Sequence, residues 1–190
     1  RGTDAGNTYA TSIDLTSDYD WTGVNETNTY YGNMAATGYS STSDANNDFF
    51  TIDPPAGYGV EATITWNGTG MGTYDNYAYR LAMGPTSAAG WSYGTSATYG
   101  GAYGYCYYSA SFEISMNTEA GNNNAGSPPY CYFASSSYYA NLPQYFTTPM
   151  DLAGDPIMVI ASCYYCYYYA TNADYQLDIT VFPADAGQSG

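Results

Sequence analysis

Histidine and lysine are absent from this chain, and arginine occurs only at positions 1 and 80. Without histidine, no Ser-His-Asp or Cys-His arrangement can form within the chain, and neither can a His-ligated zinc or copper site. Without lysine, Schiff-base and P-loop chemistry are excluded as well. Because these catalytic groups are missing, we predict that the protein is not an enzyme.

Basic charge is almost missing, whereas acidic charge is abundant. Seventeen acidic residues give a net charge of -15. Such a surface repels phosphate backbones and anionic lipid and attracts cations. The longest apolar run, residues 156–163, is much shorter than the roughly 20 residues that cross a bilayer as a helix. We therefore predict neither a nucleic-acid partner nor membrane insertion.

Several features favour an extracellular protein or a protein of the cell surface. The chain begins at Arg1 with no charged segment followed by an apolar one, and we interpret it as a mature, processed chain. Asn25 and Asn67 each begin an Asn-x-Thr glycosylation motif. Chance is the competing explanation for these motifs, since Asn and Thr are common here. Four cysteines on an acidic, lysine-free chain also suit an oxidising compartment.

Short segments of alternating apolar residues recur along the chain, and helix signals are nearly absent. Gly, Ser, Thr, Asn and Tyr dominate, which suits strands and turns. The pattern predicts a single all-β domain over residues 1–190, folded as an antiparallel, jelly-roll-like β-sandwich with a Tyr-, Gly- and Cys-rich insertion at about 84–146. We predict strands at 48–53, 58–66, 76–83, 104–116, 155–169 and 175–182, with the last two forming a hairpin.

Three segments in order resemble the pre-peptidase C-terminal domain family. They are "DAGNTYATSIDL" (4–15), "NNDFFTIDPPAGYGVEATITWNG" (46–68) and "YQLDITVFP" (175–183). The PAGYG stretch is similar to repeats in large secreted archaeal proteins. The resemblance covers roughly the first 85 and the last 35 residues. It implies a secreted, non-catalytic β-sandwich that stands beside a peptidase or in a surface array, and some such domains bind calcium.

The four cysteines lie in three similar aromatic segments, around Cys106, around Cys131 and at Cys163 and Cys166. Residues three apart in one strand lie about 10 Å apart and cannot be bridged. We therefore expect the three segments to lie side by side, with Cys163 and Cys166 each bridged to Cys106 or Cys131. A turn between Cys163 and Cys166 would instead allow a local disulfide. Zinc and thioredoxin-like chemistry are the other interpretations, and the spacing favours neither.

Tyrosine is the most distinctive residue of this chain, with 26 copies. Around the cysteines it occupies both faces of the predicted strands, so one aromatic face is left without a core to cover. Tyrosine is well suited to interfaces. Burial between subunits, an ordinary aromatic core and a glycan-binding platform are the three interpretations. The interface prediction comprises Tyr103, Tyr105, Tyr107, Tyr108, Tyr164, Tyr165, Tyr167, Tyr168 and Tyr169.

Acidic and amide side chains cluster in predicted turns and supply the oxygens that calcium prefers. The spacing matches no EF-hand loop, and solvated turns are the plain alternative. The calcium prediction comprises Asp4, Asp44, Asn46, Asp48 and Asp75. Among the glutamates, Glu61 and Glu113 lie on predicted strands, and a glycosidase pair would need them to meet across a cleft.

These observations predict a secreted structural protein that polymerises with copies of itself into an extracellular filament, sheath or surface layer. The alternative is an accessory module that holds a secreted enzyme to polysaccharide or protein. Residues 1–15 carry a short alternating stretch. This stretch is either the first strand of its own sandwich, which the resemblance favours, or a strand added to the open edge of a neighbouring copy.

Overall fold

The computed structural model describes residues 11–36, 47–67, 78–86, 102–106, 111–118, 124–125, 131–135, 156–164 and 171–184. These residues are mostly strands, and a short 3-10 helix at Thr16–Asp18 follows the first strand. The strands are β1 Ile13–Asp14, β2 Glu26–Ala36, β3 Asn47–Ile52, β4 Tyr58–Asn67, β5 Ala78–Pro85, β6 Ala102–Cys106, β7 Ser111–Asn117, β8 Asn124–Ala125, β9 Cys131–Ser135, β10 Ile157–Tyr164 and β11 Thr171–Pro183.

The strands form two sheets, and the prediction of an all-β sandwich is confirmed. Sheet A has the order β1-β3-β10-β5-β6-β9, and sheet B has the order β2-β11-β4-β7-β8. Every described neighbouring pair is antiparallel except β1 with β3, which is parallel. In the two strand orders, only β5 with β6 and β7 with β8 are consecutive in the chain, so most neighbouring strands are distant in sequence.

Sheet B buries one face and leaves the other polar. Along β11, Leu177, Ile179 and Val181 are buried, and Asp178 and Thr180 between them are partly exposed. The neighbouring β4 buries its own apolar residues in the same alternation. This period of two is what the sequence predicts for a sheet with one solvated face. The buried face of sheet B contributes apolar side chains to the core.

Sheet A is buried on both faces at its centre. Consecutive residues from Ile157 to Ala161 on β10 are all buried, and so are Asn47 to Phe50 on the neighbouring β3. A strand enclosed on both sides carries a continuous apolar run rather than an alternating one. The run at 156–163 is thus the centre of a covered sheet.

Two sequence predictions about connectivity are wrong. The strands near 155–169 and 175–182 were expected to form a hairpin, but β10 lies in sheet A and β11 in sheet B. β10 is already flanked by β3 and β5, so neither of its edges is open to β11. Residues 104–116 were expected as one strand, but they divide into β6 and β7, which lie in different sheets.

The predicted insertion at 84–146 contributes four strands to the described structure. β6 and β9 extend sheet A, and β7 and β8 extend sheet B. At the other end of the chain, β1 pairs with β3 at Phe50 and Thr51. The next residue, Leu15, is buried and donates its backbone N–H to the Thr51 carbonyl at 2.8 Å. Within the single chain, residues 13–15 therefore pack on their own sandwich.

Candidate functional site

The long strand β2 is the end strand of sheet B. Within the described residues its strand partner is β11, which pairs with it over eleven positions, from Glu26 opposite Val181 to Ala36 opposite Thr171. End strands present backbone N–H and C=O groups that can pair with another chain. Proteins usually protect such edges with lysine, proline or a bulge. β2 has no lysine or proline, and its one charged residue is Glu26 at its start.

Side-chain hydrogen bonds hold β2 to β11 on the outer face. The hydroxyls of Thr27 and Thr180 lie 2.8 Å apart, and the Thr29 hydroxyl donates to the Asp178 carboxylate at 2.6 Å. Further along, the Asn33 amide donates to the Asp174 carboxylate at 2.5 Å. Such cross-strand pairs stabilise a sheet. The end strand is therefore held in a fixed, extended shape.

An exposed aromatic ring interrupts this polar face. Tyr31 lies between Thr29 and Asn33 in the same alternation, and 73% of its surface is exposed. Beyond the start of the strand, Val24 is 63% exposed. Large side chains exposed beside a strand that ends a sheet in the described structure are the kind of contact that an assembling partner can cover.

The inner face of β2 is anchored to the segment before it. The Asn28 amide donates to the Asp18 carbonyl at 2.7 Å, and the Tyr30 hydroxyl donates to the Asp18 carboxylate at 3.1 Å. The Tyr30 ring packs against Phe50 of sheet A with centroids 6.2 Å apart. The apolar pattern of the sequence does not predict β2, because the inward residues of this strand are Asn, Tyr and Gly rather than aliphatic. The alternation of Thr27, Thr29 and Tyr31 was the available signal.

A cap of aromatic residues closes the sandwich next to the start of β2. The Trp21 ring packs edge-on against Tyr58, with centroids 5.2 Å apart, and tilts against Tyr19 at 5.7 Å. The Tyr58 hydroxyl donates to the Trp21 carbonyl at 2.7 Å and accepts from the Gly23 N–H at 2.6 Å. Trp21 has φ of 53°, a left-handed conformation that is unfavourable for a bulky residue. These contacts hold it there.

Tyr19 joins this cap to the core. Its side chain is buried, and its hydroxyl donates to the Ile179 carbonyl at 2.9 Å. Burial raises the pKa of Tyr19 well above its ordinary value, and the neighbouring Tyr30, Asp18 and Glu26 raise it further. The phenol is therefore held in its neutral form, as a structural hydrogen-bond donor.

A polar groove of about 370 Å³ lies at the β1 edge of sheet A. Asp14 and Asp53 contribute carboxylates to it, and the other lining residues are Ser12, Thr16, Thr51, Thr86 and Pro156. Part of this polarity is used internally: Asp14 accepts the Thr16 N–H at 2.9 Å, and the Thr16 hydroxyl accepts the Asp53 N–H at 2.9 Å. Most of the residues that line the groove are polar, and some of their hydrogen-bonding groups are already paired within the chain.

The cysteine segments are arranged differently from the sequence prediction. β6 and β9 are neighbours, and Cys106 lies directly opposite Cys131. Cys163 lies on β10, and β5 separates that strand from β6. The three segments therefore do not lie side by side, because β5 occupies the position next to β10. Cys166 lies outside the described residues.

The predicted tyrosine interface falls mostly outside what the structure describes. Tyr103 and Tyr105 lie on β6, opposite Ala134 and Tyr132 of β9, and Tyr164 is the last residue of β10. The remaining tyrosines, at 107, 108, 165 and 167–169, lie outside the described ranges. The interface at these rings stays a prediction.

Most residues of the predicted calcium site also lie outside the part of the chain that the structure describes. Asp4, Asp44, Asn46 and Asp75 lie outside the described residues. Asp48 lies on β3, where its buried carboxylate accepts a hydrogen bond from the Tyr175 hydroxyl. No cluster of three or more potential metal-binding acidic or cysteine residues occurs in the described part of the chain.

The two predicted glycosylation sites lie next to strands of sheet B, one before the start of β2 and one at the end of β4. Asn25 is exposed and directly precedes β2, so an attached glycan would have access to solvent there. Asn67 is the last residue of β4. Glycosylation at both positions stays a prediction.

The two strand glutamates lie on neighbouring strands but well apart. Glu61 lies opposite Asn117, and Glu113 lies opposite Thr65. The four-residue offset along the strands separates them by about 13 Å. Glycosidase carboxylates lie about 5 to 9.5 Å apart. The arrangement therefore gives no support to a glycosidase pair.

No protein-family model and no curated protein matches the chain. The resemblance to pre-peptidase C-terminal domains therefore stays a prediction. Among solved structures, the capsid asymmetric unit of cyanophage Pam1 is similar at a TM-score of 0.30 and 16% identity, over 84% of this chain and 86% of that chain. A similarity this weak says nothing about function. In the described residues, no helix has the length and hydrophobicity that crossing a membrane requires.

Proposed function

We propose that the protein is a non-catalytic, secreted structural subunit that assembles with copies of itself into an extracellular filament, sheath or surface layer. The observation that carries this proposal is the end strand β2, eleven residues long and without lysine or proline. A long, regular edge that lacks protective residues is a template for pairing with another strand. In this proposal, β2 pairs with a strand of the neighbouring copy.

The surroundings of β2 support an ordered contact rather than unspecific sticking. Hydrogen bonds from Thr29 and Asn33 to β11 hold the outer face, and Tyr30 holds the inner face against Phe50. A template that is already extended loses little conformational entropy when a partner strand is added. Tyr31, exposed beside the edge, supplies side-chain contact area for that partner.

Charge at the edge provides the test of this proposal. The double substitution Thr29→Lys with Tyr31→Lys places two cations beside β2, the device by which natural edges avoid pairing. A matched control, Ser17→Lys with Ala56→Lys, adds the same charge at exposed positions outside the strands. Both variants reduce the net negative charge of the chain, so general electrostatics favours assembly equally in both.

Sedimentation and electron microscopy of each purified chain give the readout. We expect polymers from the wild type and from the control, and monomers from the edge variant. Equal polymerisation of all three chains would show that β2 is not the contact. Loss of polymers in both variants would also contradict the edge as the site. A wild type that stays monomeric at high concentration would refute the proposed function itself.

A second function is favoured by the polar groove at Asp14 and Asp53. In this alternative, the chain is an accessory module that binds polysaccharide for a secreted enzyme, as the resemblance to pre-peptidase C-terminal domains implies. Hydroxyl and carboxylate groups are the partners that sugar hydroxyls need. Asp14→Asn with Asp53→Asn should then reduce retention on a polysaccharide column without reducing the melting temperature. Unchanged retention, or no retention of the wild type, would count against it.

A further inference from the structure

The backbone register places two cysteines directly opposite each other at one side of sheet A. Cys106 ends β6, and Cys131 begins β9, and the two are the last pair of the antiparallel ladder between these strands. Opposite residues in an antiparallel pair have Cα atoms about 4.5 to 5.5 Å apart and lie on the same face of the sheet. Disulfides need Cα atoms about 4.4 to 6.8 Å apart. The register therefore meets the distance requirement.

The same register excludes Cys163 as the partner of either cysteine. Cys163, Tyr79, Cys106 and Cys131 form one row across four neighbouring strands. With strands spaced about 4.8 Å apart, Cys163 lies about 10 Å from Cys106 and about 14 Å from Cys131. Both separations exceed what a disulfide spans.

We infer that Cys106 and Cys131 form an intrachain disulfide that joins β6 to β9. In its formation, the two thiols lose their protons and give two electrons to a low-molecular-weight disulfide such as oxidised glutathione. That oxidant is reduced to two thiols, which take up the protons. An oxidising compartment, which the proposed extracellular location provides, supplies such an oxidant.

The connectivity between the two cysteines gives this bridge a structural role. The chain leaves sheet A after β6, contributes β7 and β8 to sheet B, and returns to sheet A as β9. A Cys106–Cys131 bond therefore closes a covalent loop that passes through both sheets. β9 is the end strand of sheet A, and the bond holds this short strand in its register. The bridge thus constrains the two sheets at the same end of the sandwich.

Peptide mapping can read this connectivity directly, because acidic residues separate the cysteines. Cleavage before Asp and after Glu releases Cys106 in 75–113, Cys131 in 120–150, and Cys163 together with Cys166 in 155–173. The full-length chain, treated with oxidised glutathione and then alkylated and digested without reductant, should yield 75–113 joined to 120–150. Intact mass in denaturant should show single chains, because the bond is intrachain.

Single substitutions complete the test. Cys106→Ser and Cys131→Ser should each abolish the joined peptide and leave the other cysteine as a thiol that can be alkylated. Cys163→Ser should leave the joined peptide unchanged. The inference is overturned if 155–173 is joined to either other peptide, if Cys106 and Cys131 are both recovered as thiols, or if the bond links two chains. None of these outcomes depends on assembly, so the result is independent of the proposed function.

Discussion

The Tyr175 hydroxyl donates a 2.5 Å hydrogen bond to the Asp48 carboxylate inside the sandwich. Tyr175 lies on β11 of sheet B and Asp48 on β3 of sheet A, and both are buried. The contact therefore joins the two sheets through the core. A buried carboxylate is stable only when polar partners replace its water. The phenol is one such partner.

Tyr175→Phe should lower the stability of the protein. The substitution keeps the ring but removes the donor, so the Asp48 carboxylate loses a buried hydrogen bond. We expect a loss of about 1–3 kcal/mol in the free energy of unfolding. Chemical denaturation measures it. Tyr31→Phe, which removes a phenol from a largely exposed ring, is the matched control and should change little. Equal stability of the Tyr175 variant and the wild type would show that the bond contributes nothing.

The Tyr175 ring leaves no space for a side chain at position 32. Gly32 lies opposite Tyr175 in the register of β2 and β11, and a Cβ at Gly32 would overlap the Tyr175 ring. Gly32→Ala should therefore destabilise the fold by about 1–3 kcal/mol, as overpacking does in other cores. Against a Tyr175→Leu background, which removes the overlapping ring atoms, the same substitution should cost much less. Equal costs in both backgrounds, measured by denaturation, would argue against the overlap.

At position 21, a glycine substitution should destabilise the protein less than an alanine substitution. Its φ of 53° suits glycine and disfavours any residue with a Cβ. Both Trp21→Gly and Trp21→Ala lose the ring contacts with Tyr19 and Tyr58 and should destabilise the protein. Because only alanine keeps the left-handed strain, Trp21→Ala should be the less stable of the two by about 1 kcal/mol. Thermal melts of the two variants test this order. A more stable alanine variant would mean that the cap relaxes to another conformation.

The sequence was informative where one sheet face is apolar. Val60, Ala62 and Ile64 on β4, and Leu177 and Ile179 on β11, alternate with polar residues, and both strands were predicted within a few residues of their ends. The alternation of apolar and polar residues indicates which face of a strand is buried, but it does not indicate which strand lies next to it in the sheet. The hairpin of β10 and β11 was predicted wrongly for this reason. Pairing between distant strands depends on the packing of the whole core.

The edge at β2 was not predicted because its inner face breaks the apolar pattern. The inward residues of β2 are explained by contacts with other parts of the chain. Asn28 bonds to Asp18, and Tyr30 packs against Phe50. Gly32 makes room for the Tyr175 ring. Likewise, the groove at Asp14 and Asp53 unites residues 39 positions apart. Site residues that meet only through tertiary structure leave no local signal.

Tyr19 should make the protein sensitive to alkali. Burial raises its pKa in the folded state above the ordinary value of about 10. The stabilisation from the neutral phenol is therefore fully present below about pH 10 and is lost as the pH rises further, because only the unfolded state releases the proton easily. Tyr19→Phe should be less stable than the wild type at neutral pH, since the bond to Ile179 is lost.

The difference between these two chains should become smaller above about pH 10, because phenylalanine has no proton to lose. Denaturant midpoints measured at several pH values provide the comparison, and the other tyrosines are common to both chains. A difference that stays constant with pH would mean that Tyr19 does not resist ionisation in the folded state.

Salt should promote assembly if the proposed function is correct. Copies with a net charge of -15 repel one another, and the chain has only two arginines to offset this. Raising the ionic strength from 0.01 to 1 M shortens the screening length from about 30 to about 3 Å. The repulsion then falls, whereas strand pairing at β2 is local and little affected. The critical concentration for polymers, measured by sedimentation, should therefore decrease as sodium chloride is added.

The edge variant Thr29→Lys with Tyr31→Lys should stay monomeric at every salt concentration, because the blocked strand contact at β2, and not the repulsion between copies, prevents its assembly. Magnesium and calcium at equal ionic strength separate screening from specific binding. Equal effects of both ions mean that screening alone acts, whereas promotion by calcium but not by magnesium would support the predicted calcium site. Assembly that weakens with added salt would contradict the mechanism, because contacts would then depend on charge attraction, for which a chain with two arginines has few partners.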